Sequence, residues 1–279
     1  MYAFRLINVF AEDTALSGNP LAVFEDARGL DDATMQALAL QFNLSETTFL
    51  LPSAVAPVRV RIFTPAFEMP FAGHPTLGSA YVAREVRGLG DAFSLEMRAG
   101  VVPVQASGDV WTLTANAPHW RSPRADRVQL ASMLGLAEGD LAPQGEPLWV
   151  DTGSDQLVIP LAGFDAVRRA SPAAAAMIEH TGDGPRPLAY VFAREGKRVL
   201  ARFFFPKLGA MLEDPGTGSA CANLGGWLVA TGAALPQSLT IEQGEATGRR
   251  CRLRLTVDAG GSIHVSGRVV EIARGTLSL

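Results

Sequence analysis

Phe71-Ala72-Gly73-His74-Pro75-Thr76-Leu77-Gly78-Ser79-Ala80 and Leu212-Glu213-Asp214-Pro215-Gly216-Thr217-Gly218-Ser219-Ala220 carry the decisive pattern. Pro75 matches Pro215, Gly78 matches Gly218, Ser79 matches Ser219 and Ala80 matches Ala220, at a constant offset of 140 residues in a chain of 279. A loop-to-helix signature repeated half a chain apart indicates a duplicated domain. The copies differ at one ionisable position, where His74 faces Asp214. Each copy sets small residues and backbone N–H groups at a helix start. First-turn amides there lack partners and the helix dipole is positive, so both loops favour anions. Gly73, Gly216 and Gly218 allow close approach and positive φ. Two related half-sites with different ionisable groups imply a ligand held between two similar domains, against the plainer reading of tight turns into core helices.

The composition, 48% hydrophobic and 19% charged, suits a folded globular chain and not a disordered one. A net charge of −4 without a long basic run makes nucleic acid or an anionic membrane an unsuitable partner. No stretch reaches the roughly 18–20 apolar residues of a membrane span, and the start lacks a signal-like pattern; the expectation is a soluble, cytoplasmic protein. Cys221 and Cys251 are the only cysteines, which implies no disulfide framework.

Working outward, Leu6 to Ala11 and Leu21 to Phe24 read as strands joined through the turn-prone Ser17-Gly18-Asn19-Pro20. Asp31 or Asp32 can cap a helix carrying Met35, Leu38, Ala39 and Phe42 at helical spacing. Thr47 to Leu51 reads as a strand, and Val58 to Phe63 alternates apolar and charged residues as a half-buried strand does. Pro75 fits the first turn of a helix reaching about Arg87, apolar on most sides. Strands follow near 93–97, 101–105 and 110–114. Ala115-Asn116-Ala117-Pro118 marks a boundary, giving domains 1–117 and 118–279. Gly153 to Ile159 then echoes Ser17 to Val23. Phe164 to Glu179 reads as helix broken or restarted at Pro172, Arg198 to Phe205 as strand, and Ala220 to about Ala230 as a second apolar helix opened by Thr217 or Ser219. The fold class is α+β, with two pseudo-symmetric domains, each a curved sheet around one buried helix.

Glu46 begins an apolar strand just after an amphipathic helix. Its spacing alone reads first as a surface glutamate; partial burial would instead suit it to general acid/base work. Gly216-Thr217-Gly218 lacks the third glycine and the direct strand-to-helix passage of a dinucleotide fingerprint. His74, His119, His180 and His264 show no metal-ligand spacing, so no metal is expected. No Gly-x-Ser-x-Gly elbow occurs. His119 beside Trp120 reads as structural, and Cys221 as a small core residue.

Five ordered blocks carry a family resemblance: Gly18 to Phe24, Asn43 to Phe49, Arg61-Ile62-Phe63-Thr64-Pro65, Pro70 to Thr76 and Glu213 to Ala220. They resemble the PhzF (phenazine biosynthesis protein) family, from about Phe4 to the C-terminus. The resemblance implies the diaminopimelate epimerase-like fold, with two barrel-like sheets each wrapped on a central helix, the active site in the cleft between them, a C-terminal strand (about 267–279) returning to the first domain, and a homodimer. It implies a cofactor-independent isomerase acting on a small carboxylated substrate of the trans-2,3-dihydro-3-hydroxyanthranilate type. Glu46 then matches the catalytic glutamate, His74 and Asp214 the polar pair flanking the substrate, and Gly73 and Ser219 the lining, whose amides would hold a carboxylate. Pro75, Gly216, Thr217 and Gly218 complete the candidate binding set. The epimerase relatives use two cysteines; here neither loop holds a thiol, which disfavours a two-thiol racemase. Racemisation by Glu46 with Asp214 or His74, and a non-catalytic metabolite-binding module, are the alternatives.

Overall fold

The structure is a computed structural model and describes residues 1–207 and 209–279. The chain forms two compact units, Met1–Thr114 with Ser266–Leu279, and Ala115–Val265.

The first unit contains β1 (Tyr2–Val9), β2 (Asn19–Phe24), α1 (Asp32–Phe42), β3 (Glu46–Leu51), β4 (Val58–Phe63), β5 (Glu68–Met69), α2 (Gly73–Arg87), β6 (Ala92–Met97), β7 (Gly100–Ser107) and β8 (Val110–Thr114). β1 pairs antiparallel with β2, and β3 with β4 and β4 with β5 likewise. β2 and β3 run parallel across α1, as β4 and β6 do across α2, because a parallel neighbour needs a crossover and a helix supplies one. The later strands β9 (His119–Arg121), β10 (Leu148–Asp151), β11 (Asp155–Pro160), β12 (Ala189–Glu195), β13 (Arg198–Lys207), β14 (Ala210–Asp214), β15 (Gln237–Gln243), β16 (Cys251–Val257) and β17 (Ile263–Leu277) complete the chain. β17 returns to β1, from Tyr2↔Leu277 to Val9↔Val269, and also pairs with β8. Together with the β6–β7 and β7–β8 hairpins, this closes the first sheet into a barrel without an edge.

α2 fills that barrel. Every residue from Gly73 to Ala80 is buried, with Val82 and Ala83. Gly78 is needed mid-helix, since a Cβ there would come within 3.0 Å of the Ile7, Leu21 and Val9 side chains. Arg5, 4% exposed, ties the returning strand down, with Glu25 at 2.6 Å, Glu271 at 2.9 Å and Glu85 as partners.

The second unit repeats the same programme. Its helices are α3 (Arg127–Met133), α4 (Phe164–Arg169), α5 (Ala174–His180) and α6 (Gly218–Ala230). β10 pairs antiparallel with β11, β11 parallel with β12, and β12 antiparallel with β13. β13 takes β14 antiparallel on one side and β15 parallel across α6, and β15 turns back into β16. The Ala115 amide donates to the Ile263 carbonyl and the Asn116 amide to that of Thr152, joining the start of β17 to the end of β10. Pro172 separates α4 from α5, as its missing N–H requires.

The two programmes align by register and correct the sequence offset. Phe63↔Glu68 in the first unit corresponds to Phe204↔Glu213 in the second. The helix N-caps are Ala72 and Thr217, an offset of 145 and not 140. His74 therefore corresponds to Ser219, and Gly78 to Asn223. Asp214, paired with Phe203, corresponds to Met69, paired with Ile62. The hairpin echo also moves by one residue: the left-handed glycines are Gly18 (φ 91°) and Gly153 (φ 131°). Gly73 and Gly218 lie inside helices and Gly216 is not among the left-handed glycines, so positive φ is not what these three supply. Pro206 and Lys207 belong to β13 and 210–212 to β14.

Candidate active site

In the first unit, three polar side chains meet at one corner. Asn19 opens β2, Glu46 opens β3, and His74 is the second residue of α2. The parallel register sets Glu46 opposite Leu21, next to Asn19 along the strand. Glu46 Oε2 approaches His74 Nε2 to 3.3 Å, with the side chains 14% and 5% exposed. Asn19 Nδ2 lies 3.3 Å from His74 Nδ1. Glu46 is thus no surface glutamate. Burial pushes the His74 pKa down to about 3, against the opposing hydrogen bond to the Pro20 backbone, so the ring is neutral at ordinary pH.

The ring has two neutral forms, each with its own use. With Nδ1 accepting from the Asn19 amide, the ring proton lies on Nε2, the nitrogen nearest Glu46. With the proton on Nδ1, Nε2 is a bare acceptor on that side. The 3.3 Å approach lacks hydrogen-bond geometry in this structure, and the neutral ring can present either a donor or an acceptor toward Glu46 without a buried imidazolium.

In the second unit, the start of α6 holds a different set. Asp214 accepts a short hydrogen bond from the Thr217 hydroxyl. Gln243 clamps the turn: its Nε2 donates to the Asp214 carbonyl at 2.8 Å and to Thr217 Oγ1 at 3.0 Å, and its Oε1 accepts from the Thr217 amide at 3.3 Å. Ser219 Oγ accepts from Gln156 Nε2 at 2.9 Å. Gln156 Oε1 accepts from Asn223 Nδ2 at 2.8 Å, and Asn223 Oδ1 accepts from the Thr152 amide and hydroxyl at 2.9 and 2.6 Å. This buried amide network holds α6 to β10 and β11 and fixes the Ser219 rotamer.

Asp31 caps α1 and Asp126 caps α3 with side-chain hydrogen bonds, whereas neither Ala72 nor Thr217 caps its helix that way. The first-turn amides of α2 and α6, including those of Gly73 and Ser219, receive no side-chain cap from the preceding residue. Such amides are donors for an anionic ligand.

Of the residues singled out in the sequence, Glu46 and His74 are in contact, as are Asp214 and Thr217. Gly73, Pro75, Gly218 and Ser219 lie in first helical turns, with Gly216 just ahead of α6. Asn19, Gln156, Asn223 and Gln243 carry no sequence signal of a site: Asn19 reads only as a turn residue, and Gln156, Asn223 and Gln243 meet Ser219, Thr152 and Thr217 across 63, 71 and 26 residues. Cys221 is buried and burial pushes its thiol up, which fits a core residue. His119 lies on the exposed strand β9 and enters neither constellation. Among the described residues, no cluster of three or more His, Cys, Asp or Glu is placed to hold a metal, and no helix is long and apolar enough to cross a membrane.

Residues 7–275 match the profile of the phenazine biosynthesis-like protein family. The chain is 39% identical to an uncharacterised isomerase of Pasteurella multocida, over 99% of this chain and 94% of that one. It is 33% identical to the trans-2,3-dihydro-3-hydroxyanthranilate isomerase of Pseudomonas aeruginosa, over 99% of each. A crystal structure of a PhzF-family phenazine biosynthesis protein from Bacillus anthracis superposes with a TM-score of 0.87 at 25% identity, covering 100% of this chain and 99% of that one. With a family match across almost its whole length, the chain belongs to the phenazine biosynthesis-like, PhzF-type family of isomerases.

Proposed function

We propose that the protein is a cofactor-independent isomerase that moves a proton between carbons of a small carboxylated substrate, with Glu46 as the general acid/base. The observation that carries this reading is the 3.3 Å approach of Glu46 to a histidine held neutral by burial. A carboxylate that takes a proton from one carbon must keep it until it is delivered to another, so water has to be kept away. The corner around Glu46 is closed by buried side chains, and His74 steadies either charge state of Glu46 without adding a charge.

The uncapped first turn of α2, at Gly73, and that of α6, at Gly218 and Ser219, each offer N–H donors to a carboxylate. Pro75, Gly216 and Thr217 shape those turns. Asp214, oriented by Thr217, accepts from a donor group of the substrate. The relatives named for trans-2,3-dihydro-3-hydroxyanthranilate isomerisation make that compound the first to try.

The test is NMR in D₂O with that compound and a panel of small amino and hydroxy acids, for wild type and Glu46→Gln. Isomerisation with deuterium uptake, reduced on the order of 10² to 10⁴-fold in the variant, is expected. A wild-type rate in Glu46→Gln would overturn the reading. Inversion at a stereocentre without migration of a double bond would replace it with a racemase.

A further inference from the structure

In the second unit, Arg121, Arg127, Arg168, Arg169, Arg198 and Arg202 each pair with a carboxylate. Arg186 does not. It is partly buried, and among the described residues no carboxylate oxygen lies within 4.0 Å of it. Its guanidinium Nη2 donates to Ser154 Oγ at 3.1 Å. Burial alone displaces its pKa, downward, while each other arginine with a displaced pKa is raised by carboxylate neighbours. A cation taken partly out of water without a counter-ion is a cost to the fold, and an anionic ligand removes it.

The backbone holds this cation still. Pro185 and Pro187 flank Arg186; proline fixes its own φ and confines the residue before it to extended conformations. The Leu188 amide closes a tight turn onto the Arg186 carbonyl at 2.9 Å, and the Leu188 carbonyl accepts from Leu157 in β11. Upstream, Gly184 lies on the Trp149 ring, where a Cβ would come within 2.2 Å of the indole. Asp183 accepts from the Trp149 indole N–H at 3.2 Å and from the Arg124 amide at 3.0 Å. A guanidinium on so fixed a segment loses little freedom when it binds.

Its hydrogen bond leads to the start of α6. Gln156 Nε2 lies 3.4 Å from Ser154 Oγ and 2.9 Å from Ser219 Oγ. Arg186 and the open first turn of α6 thus belong to one hydrogen-bonded frame. We infer that Arg186 is a substrate-recognition residue that takes a carboxylate of the substrate in a planar two-point contact, with Ser154 and Gln156 fixing its place relative to Ser219. This rests on the proposed function only in taking the α6 start to face the substrate.

The experiment titrates malonate into the full-length protein by calorimetry, with wild type, Arg186→Gln and Arg186→Lys. Arg186→Gln should bind malonate on the order of tenfold to a hundredfold more weakly, with Arg186→Lys between the two. Arg186→Gln should also melt no lower than wild type, because it removes an uncompensated cation, whereas a structural arginine would lower the melting temperature. With a turned-over substrate, Arg186→Gln should raise KM and spare kcat. Equal binding in Arg186→Gln, or no malonate binding by wild type, overturns the inference. Absence of turnover by any candidate would count against the isomerase reading and leave the malonate comparison decisive for Arg186.

Discussion

The corner where β2, β3 and α2 meet in the first unit has a counterpart where β11, β12 and α6 meet in the second. Strand pairing and helix starts correspond residue for residue, yet the chemistry does not. Leu21 packs against Gly78 in the first unit; at the corresponding positions Gln156 hydrogen-bonds to Asn223 at 2.8 Å. Asn19 contacts His74 directly; the corresponding Ser154 reaches Ser219 through Gln156. One corner keeps a titratable pair in an apolar setting, and the other keeps a satisfied amide network beside an open helix start. The difference teaches that a duplicated frame can hold two chemistries when a few helix-facing residues change together: apolar and small on one side, amide and amide on the other.

One feature is kept in both units. Arg61 forms a two-point ion pair with Glu68 at 2.7 and 2.8 Å, and Arg202 one with Glu213 at 3.1 and 2.7 Å. Each arginine also lies over a phenylalanine two residues on, Phe63 at 5.0 Å and Phe204 at 4.7 Å. This pairing holds the short strand ahead of each helix start and so aims both candidate loops.

The largest expected effect comes from breaking the second corner. Asn223→Ala removes the acceptor of the Thr152 amide and hydroxyl and the donor to Gln156 Oε1 and the Ser154 carbonyl, and should cost about 3 kcal/mol in urea unfolding. Making that corner resemble the first, with Gln156→Leu and Asn223→Gly together, should cost at least ~1 kcal/mol less than the two single changes summed, since both partners of one hydrogen bond leave at once. In the first corner, Gly78→Ala should cost about 1–3 kcal/mol by overpacking against Ile7, Leu21 and Val9. Smaller still, Glu68→Gln and Glu213→Gln should each cost about 1–2 kcal/mol, with Glu68→Gln the milder because Arg61 keeps Asp32 as a second carboxylate, whereas Arg202 loses its one carboxylate partner among the described residues. A larger loss for Glu68→Gln would contradict this.

The titration of His74 sharpens the comparison, because its counterpart Ser219 does not titrate. Its folded pKa of about 3 lies below the ordinary 6.5, so between those values the unfolded chain binds the extra proton. Stability should fall as pH drops below about 6.5 and level off near 3. His74→Gln should flatten that part of the urea-midpoint profile, and an unchanged slope would show that the ring is not held neutral.

Much of this was legible in the chain. Alternation marked Val58 to Phe63, capping and spacing marked α1, and the small-residue loops marked the starts of α2 and α6. The true offset between the halves was not legible. Gly78, Ser79, Gly218 and Ser219 match as letters, yet one pair serves mid-helix packing and the other a helix start. Glu46 could not be told from a surface residue by spacing, because its burial depends on His74 and Asn19, brought in from other elements. Gln156 and Asn223 were illegible for the same reason, as was Arg186, whose isolation from carboxylates is a property of the fold.

In this reading the Glu46 corner moves the proton and the α6 corner binds the substrate. Steady-state kinetics of Glu46→Gln and Asp214→Asn on one turned-over substrate separate the two roles. Glu46→Gln should lose kcat on the order of 10² to 10⁴-fold with KM little changed, and Asp214→Asn should raise KM with kcat largely kept. Equal losses of kcat in both variants, or a Glu46→Gln protein that fails only in KM, would contradict it.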